Sequence, residues 1–129
     1  MAENYTSPPV GHEVSCVMEG ISGEILNNKS SLMSIMKTAL EKDNFHILKT
    51  IFQSFSPQGF TGVFILSESH LAFHTYPEHG VLYLNMYSCR GPKDAEKTFN
   101  FIKKKLNPKK TRILSNHEVP LTDGFSATH

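Results

Sequence analysis

The chain has 129 residues, of which 39% are hydrophobic, and this length and composition fit a single globular domain. Thirteen basic and twelve acidic residues leave a net charge of +1, which gives no electrostatic reason to expect nucleic acid or an anionic membrane as a partner. No stretch of the sequence approaches the ~20 apolar residues that a membrane-spanning helix requires. We therefore expect a small-molecule substrate, no nucleic acid and no membrane.

The chain contains two cysteines, Cys16 and Cys89, and residues 1–10 lack the apolar core of a secretory signal. We expect a soluble cytoplasmic protein with reduced thiols, because that compartment disfavours disulfides. Segment 1–10, which is polar and contains two prolines, is expected to be a flexible arm. The folded domain is expected at 11–120 and a polar tail at 121–129.

Hydrophobic periodicity predicts the element order β-α-β-β-β-β-α-β. The first helix takes Ser30 or Ser31 as its N-cap, and its apolar residues recur at helical spacing: Leu32, Ile35, Met36, Ala39 and Leu40. The second helix begins at Gly91-Pro92 and carries a stripe of Ala95, Phe99, Ile102 and Leu106. The predicted strands are 13–17, 45–55, 61–66, 71–76, 81–89 and 111–119.

Two amphipathic helices and several strands indicate the α+β class. We expect a two-layer sandwich in which a largely antiparallel sheet carries two helices on one face. The other face of the sheet then needs a cover, and a partner subunit would provide it.

Seven histidines raise the question of a metal site. His70 and His74 lie about 13 Å apart along a strand at ~3.3 Å per residue. Two nitrogens that must each approach zinc to about 2.1 Å do not span that distance, so we expect no metal. The remaining histidines outside this segment show no pattern and are expected to be surface or capping residues: His12, His46, His117 and His129.

A serine hydrolase would pair Ser67 or Ser69 with His74 or His79. The G-x-S-x-G motif is absent, and no aspartate stands where it would orient the base. The sequence therefore does not favour a hydrolase.

Glu68-Ser69 permits another chemistry, because a serine hydroxyl can attack the carbonyl that precedes it in its own backbone. In a strained turn the peptide becomes an ester, a base eliminates the acyl group, and the chain is cut. The dehydroalanine left at Ser69 hydrolyses to a pyruvoyl group, whose ketone forms a Schiff base with an amine and assists loss of CO2. The dipeptide itself is common, and two polar residues in a loop account for it as well.

Three segments together resemble the bacterial and archaeal type of S-adenosylmethionine decarboxylase: FSPQGFTGV at 55–63, LSESHLAFHTYPEHG at 66–80 and YSCRG at 87–91. The similarity extends over nearly all of residues 10–119. It implies a two-layer sandwich, a homodimer of processed protomers with sites near their interface, and no metal. It also implies a product, decarboxylated S-adenosylmethionine, that enters spermidine synthesis.

The resemblance implies cleavage between Glu68 and Ser69, which gives a β chain of residues 1–68 and an α chain of residues 69–129. The cofactor is then a pyruvoyl group made from Ser69. His74 matches the family histidine that acts as the processing base, and a bent strand is expected to return it to Ser69. Cys89 matches the family cysteine that protonates the substrate carbon and discourages transamination of the cofactor.

Other positions are implied by the same resemblance. Thr61 stands where the family usually has a serine that supports processing. Phe55, Tyr76 and Glu78 stand where family members place substrate-binding residues. Tyr76 would offer an aromatic platform to an adenine, and Glu78 would bind a ribose or a cationic group.

The chain departs from the family pattern at three places. The arginine usually found before His12 is missing, Asn85 replaces a common aspartate, and Arg90 separates Cys89 from Gly91. These departures keep open a pyruvoyl-dependent decarboxylase of arginine or ornithine. A regulatory paralogue that does not process is a third hypothesis, against which the retained Ser69, His74 and Cys89 argue.

Overall fold

The computed structural model describes residues 9–91 and 94–123. Its elements, in chain order, are β1 (Val10–Glu19), α1 (Gly23–Asn27), α2 (Lys29–Lys42), β2 (Ile47–Ser54), β3 (Phe60–Leu66), β4 (Ser69–Tyr76), a 3₁₀ turn (Pro77–His79), β5 (Val81–Ser88), α3 (Glu96–Leu106) and β6 (Lys110–Pro120). The predicted order of strands and long helices agrees with these elements, and α1 and the 3₁₀ turn are additional. The proposed arm lies mostly outside the described residues, as does most of the proposed tail.

The six strands form one sheet in the order β2-β3-β4-β5-β1-β6, and every neighbouring pair is antiparallel. Strands β2 to β5 are joined as consecutive hairpins, whereas β1 enters between β5 and β6. This arrangement places β4 in the interior of the sheet, paired on both sides. The predicted α+β sandwich with an antiparallel sheet is confirmed.

Alternation along β4 separates the two faces of the sheet. Ser69, Leu71, Phe73 and Thr75 are buried, whereas His70, Ala72 and His74 on the opposite face are half-buried. The buried side chains of the interior strands join those of all three helices in one apolar core that includes Leu26, Leu32, Met36, Phe64, Phe73, Leu84 and Ile102. The helices therefore cover a single face of the sheet, which we call the helix face.

The opposite face, here called the open face, carries no helix from the described part of the chain. Ile51 and Val63 face each other across β2 and β3 on this side, with Ile65 next to them. Ile51 is 54% exposed and Ile65 is 40% exposed, so apolar side chains remain in contact with solvent. A sheet buries its apolar face against another layer, so the open face requires a cover.

The beginning of α2 differs from the prediction. Its N-cap is Asn28, whose side-chain oxygen accepts a hydrogen bond of 3.1 Å from the Ser31 amide, and not Ser30 or Ser31. Asn28 also closes α1, so one residue serves two consecutive helices. No hydrophobic pattern in the sequence indicates this junction, because α1 has only one buried residue, Leu26.

Helix α3 begins at Glu96, later than the predicted Gly91-Pro92 start, and Pro92 lies outside the described residues. Its N-cap, Ala95, adopts a left-handed conformation with φ 68° and has no side chain that can cap the helix. The free amide of Thr98 in this first turn is satisfied from elsewhere in the chain, by the Asp43 carboxylate.

Candidate active site

The turn between β3 and β4 contains only two residues, Ser67 and Glu68, because Leu66 and Ser69 form the last pair of the two strands. Glu68 has φ 55°, a left-handed conformation that residues other than glycine adopt rarely. Such a conformation costs roughly 1 to 3 kcal/mol and persists only where the surroundings enforce it. The peptide bond between Glu68 and Ser69 therefore lies in a strained turn, as the cleavage chemistry requires.

Cys89 lies against this peptide bond. Its Sγ donates a hydrogen bond of 2.6 Å to the Glu68 carbonyl oxygen, and Sγ lies 3.6 Å from Ser69 Oγ. Ser69 is 8% exposed and Cys89 is 3% exposed, so the contact is largely shielded from water. The structure thus places the sequence-predicted cleavage residues and the predicted proton donor together.

The pairing of β4 with β5 produces this contact. His70 is paired with Tyr87, and continuing that register by one residue sets Ser69 beside Ser88, immediately before Cys89. Ser69 and Ser88 both point to the helix face. A thiol twenty residues further along the chain is thereby brought to the turn.

His74 and Thr61 also come together, at a different place. They are directly paired across β3 and β4, and His74 Nδ1 lies 2.7 Å from Thr61 Oγ1. The His74 ring packs beside Tyr83, with 6.0 Å between ring centroids. Both predicted processing residues therefore form one hydrogen-bonded pair on the open face.

The expectation that a bent strand returns His74 to Ser69 is wrong within one protomer. Five residues of strand separate them by roughly 16 Å, and an odd spacing directs the two side chains to opposite faces. Strand β4 is paired continuously with β3 and with β5, and neither pairing contains a bulge. The two-sided pairing keeps the strand extended and holds the residues apart.

The expected substrate-binding residues lie at the His74 end of β4. Tyr76 ends the strand and is 42% exposed, Glu78 is in the 3₁₀ turn that follows, and Phe55 directly follows β2 and is 55% exposed. The predicted residues thus form two groups at opposite ends of β4. We call them the cleavage group, Glu68, Ser69 and Cys89, and the far-end group, Phe55, Thr61, His74, Tyr76 and Glu78.

Sequence reasoning missed Tyr87 and the polar pair beside it. Tyr87 stacks on His70 with 6.3 Å between ring centroids, and His70 Nε2 lies 2.9 Å from Asn85 Oδ1. Burial raises the pKa of Tyr87, and the nearby Cys89 and Glu68 raise it further when they are charged. Tyr87 therefore lies on the open face close to the cleavage group. Its position two residues before Cys89 was the available signal.

His12 is not at the surface as expected. It is 8% exposed, and its Nε2 lies 2.7 Å from Asn116 Oδ1, while its Nδ1 has no hydrogen-bond partner among the described residues. The reason is register, because His12 faces Ser88 on β5 and shares the helix face with it. His117 is exposed and lies 3.4 Å from Glu13, whereas His129 is outside the described residues.

Both cysteines lie in the described part of the chain, and they form no disulfide. Burial raises the pKa of Cys16 to about 11, so this core thiol stays protonated at neutral pH. Within 9–91 and 94–123, no three or more His, Cys, Asp or Glu side chains are grouped to hold a metal ion. In the same residues, no helix is long and apolar enough to cross a membrane.

The two-layer sandwich thus brings a strained Glu68-Ser69 turn into contact with the Cys89 thiol. Comparison with known proteins gives the family. A family model described as S-adenosylmethionine decarboxylase matches residues 12–117. The chain therefore belongs to the S-adenosylmethionine decarboxylase family.

Individual relatives agree with this assignment. The S-adenosylmethionine decarboxylase proenzyme of Clostridium kluyveri is 36% identical over 100 residues, covering 78% of this chain and 79% of that protein. The proenzyme of Sulfurihydrogenibium is 32% identical over 114 residues, covering 87% and 86%. The crystal structure of the adenosylmethionine decarboxylase from Aquifex aeolicus superposes with a TM-score of 0.82 at 25% identity, covering 93% of this chain and 98% of that one. The predicted family, fold class and enzyme class, an S-adenosylmethionine decarboxylase, are confirmed.

Proposed function

We propose that the chain is a proenzyme that cuts itself between Glu68 and Ser69, forms a pyruvoyl group from Ser69 and decarboxylates S-adenosylmethionine in the cytoplasm. The product is decarboxylated S-adenosylmethionine, the aminopropyl donor for spermidine synthesis. One observation carries the proposal: the Cys89 thiol donates to the Glu68 carbonyl at 2.6 Å while lying 3.6 Å from Ser69 Oγ.

Cleavage begins when Ser69 Oγ attacks the Glu68 carbonyl carbon. Negative charge then develops on the carbonyl oxygen, to which the Cys89 thiol already donates a hydrogen bond. A donor placed at a developing oxyanion stabilises the transition state more than the ground state. The Ser69 nitrogen leaves as a free amine, and an ester now joins Glu68 to the Ser69 side chain.

Elimination completes the cut. A base removes the proton from the Ser69 α-carbon, the Cβ–O bond breaks, and Glu68 departs as the C-terminal carboxylate of the β chain, residues 1–68. The dehydroalanine at the start of the α chain, residues 69–129, takes up water and releases ammonia to leave the pyruvoyl group. His74 is the proposed base because it stands at the position of the family's processing histidine, and histidine is the side chain that most often accepts a proton in catalysis.

The cleavage group fits a pyruvoyl group at position 69. When formed, that group supplies a ketone that joins the substrate amine and takes up the electron pair left by CO2. Cys89 Sγ, which lies beside Ser69 Oγ in the uncut chain, holds a proton next to the reacting carbon. The buried contact also limits access of water, which would protonate the carbon without selectivity.

We further propose that a homodimer forms the active unit, in which the far-end group of one protomer lies beside the Glu68-Ser69 turn of the other. A two-fold axis that lies in the plane of the open face at right angles to β4 sets one end of β4 near the opposite end of the partner's copy. This arrangement covers the exposed Ile51 and Ile65, and it supplies a base that the protomer does not bring to Ser69 itself. Phe55, Tyr76 and Glu78 then contribute to substrate binding across the interface.

Trapping tests the substrate. The purified protein is incubated separately with S-adenosylmethionine, arginine or ornithine, each with borohydride, and the mass of the α chain is measured. We expect an adduct with the decarboxylated form of S-adenosylmethionine alone. A matched Ser69→Ala chain should stay uncut and gain no adduct. Labelling by arginine or ornithine alone would contradict the substrate, and one uncut wild-type chain would contradict the whole proposal.

A further inference from the structure

Arg90, one of the departures from the family pattern, has its side chain held on three sides. Its guanidinium contacts the Asp94 carboxylate at 2.8 and 3.1 Å, the Asp43 main-chain oxygen at 2.7 Å and the Asp43 carboxylate at 3.3 Å. It also stacks over the Phe45 ring at 3.5 Å from the centroid. We call Arg90, Asp43 and Asp94 the arginine clamp.

The clamp ties together segments that are distant in sequence. Asp43 is the C-cap of α2, and Asp94 lies just before α3. Side-chain exposure is 28% for Arg90, 11% for Asp43 and 9% for Asp94, so these are not freely solvated surface pairs. The planar guanidinium contacts two partly buried carboxylates and an aromatic ring at once. It therefore restrains the backbone of residue 90 more firmly than a lysine at this position would.

The same carboxylates complete the start of α3. Asp43 Oδ2 accepts hydrogen bonds from the Thr98 amide at 3.0 Å and the Thr98 hydroxyl at 2.8 Å. Asp94 accepts from the Ala95 amide at 2.8 Å and from the Arg90 amide at 3.1 Å. Since Ala95 has no side chain to cap the helix, the clamp supplies the acceptor for the Thr98 amide. The position of α3 and the position of Arg90 are therefore set by one network.

Cys89 lies between this network and the end of the sheet. The last paired residue of β5 is Ser88, which faces His12, so Cys89 lies beyond the ladder of the sheet. On its other side the chain passes at once into Arg90. The thiol that touches the Glu68 carbonyl is thus held between a strand end and the arginine clamp.

We propose that Arg90 is a positioning residue for Cys89, whose clamp fixes the direction from which the thiol delivers its proton. The inference rests on the proposed function. Arg90 points to Asp43 and Asp94 and acts on the reaction only through its neighbour. The clamp thereby influences which carbon receives the proton after CO2 has left.

Correct delivery places the proton on the substrate carbon and releases the decarboxylated amine. A proton delivered to the carbon that came from Ser69 instead leaves the amino group on the α chain, which then begins with alanine, and water releases the substrate as an aldehyde. Misplacing a catalytic group by about 1 Å can cost up to a hundredfold in rate. A less firmly held Cys89 should therefore lower the rate of decarboxylation and also raise the fraction of turnovers in which the proton goes to the wrong carbon.

The test uses Arg90→Lys, with Asp94→Asn as a second variant and Arg112→Lys as the matched control. Arg112 also pairs with a carboxylate, Glu19 at 2.8 Å, but this exposed pair lies on β6 and β1. In the uncut Ser69→Ala background, alkylation of Cys89 by iodoacetamide is followed by peptide mass analysis. In the processed protein, Edman sequencing counts α chains that have gained an N-terminal alanine per turnover.

We expect Arg90→Lys to accelerate alkylation of Cys89 roughly tenfold, because charged hydrogen bonds that restrain the segment are lost. The alanine-terminated fraction per turnover should rise roughly tenfold. Asp94→Asn should move both readouts in the same direction, and Arg112→Lys should move neither. A variant with lower thermal stability but an unchanged alanine fraction would overturn the proposal, because it would show a purely structural role.

The two arms separate this inference from the proposed function. Alkylation is measured in the Ser69→Ala chain, which cannot be cut. This arm therefore shows whether the clamp restrains Cys89, even if the wild-type chain turns out not to cut itself. Unchanged alkylation in both clamp variants would overturn the inference while leaving cleavage and decarboxylation in place. If Arg90→Lys does not fold, Asp94→Asn decides by the same two readouts.

Discussion

Ser69 and His74 belong to one uninterrupted strand, yet their side chains lie on opposite faces of the sheet at its two ends. The proposed nucleophile and the proposed base therefore do not meet within a protomer. Thr61, at 2.7 Å from His74, stays with the base, while Cys89 stays with Ser69. This division leads to a direct test of the composite site.

Coexpression of Ser69→Ala and His74→Ala chains should restore cleavage that neither variant shows alone. In a mixed dimer, the His74→Ala protomer keeps Ser69 and receives the base from the Ser69→Ala protomer, so one site of two is complete. Differently tagged chains and intact-mass analysis would report cleavage of the His74→Ala chain only. His79→Ala, which changes an exposed residue of the 3₁₀ turn, is the control that should cleave by itself. An uncut mixed dimer would contradict the shared site.

Glu68→Gly should relieve strain at the cleavage turn. Glycine adopts a φ of 55° without the steric cost that glutamate bears, so the uncut Ser69→Ala chain should gain about 1 kcal/mol in its free energy of unfolding. With Ser69 present, cleavage should become slower because the ground state is less strained. Urea unfolding and a mass time course measure the two effects. Asn44→Gly, at another left-handed position with φ 62°, should leave the cleavage rate unchanged.

Cys89→Ala should slow cleavage roughly a hundredfold, because the Glu68 carbonyl loses a hydrogen-bond donor. Cys89→Ser should slow it less, since a hydroxyl also donates. Cleavage is followed by intact mass after purification under denaturing conditions. Cys16→Ala changes the other thiol, which is buried in the core, and should affect stability without selectively slowing cleavage. Equal cleavage rates for Cys89→Ala and the wild type would rule out this role of the thiol.

Acid should weaken the arginine clamp. Burial alone would raise the pKa of Asp94, but its hydrogen bonds with Arg90 and the charge of that guanidinium outweigh burial, so the pKa lies below 3.8. A carboxyl group with a lowered folded-state pKa stabilises the fold above its unfolded-state pKa and loses that contribution as pH falls through the folded-state value. Between about pH 6 and about pH 3, the free energy of unfolding measured in urea should therefore fall more steeply for the wild type than for Asp94→Asn, which lacks this carboxyl group. Parallel pH profiles for the two proteins would contradict this account.

Much of the fold follows from local patterns in the sequence. Alternation at residues 71–74 places Leu71 and Phe73 on one face of a strand and Ala72 and His74 on the other, because side chains on a strand point to alternate sides regardless of the partner strands. The structure has the same division and buries Leu71 and Phe73. The apolar stripe of α2 was found for a similar reason. The N-cap of α2 and the start of α3 were missed, since Asn28 serves two helices and α3 takes its caps from Asp43, 55 residues before Thr98.

The sequence by itself determined the chemistry available to this protein: the cleavable Glu68-Ser69 peptide, the thiol of Cys89 and the imidazole of His74, in segments that resemble one family. Only the tertiary structure decided which of these groups meet. Strand register sets Cys89 against the Glu68 carbonyl and Thr61 against His74, and continuous pairing keeps the two pairs apart. The physical reason is that chemical identity and side-chain alternation are local, whereas register and the contacts of Arg90 join segments that are far apart in the chain.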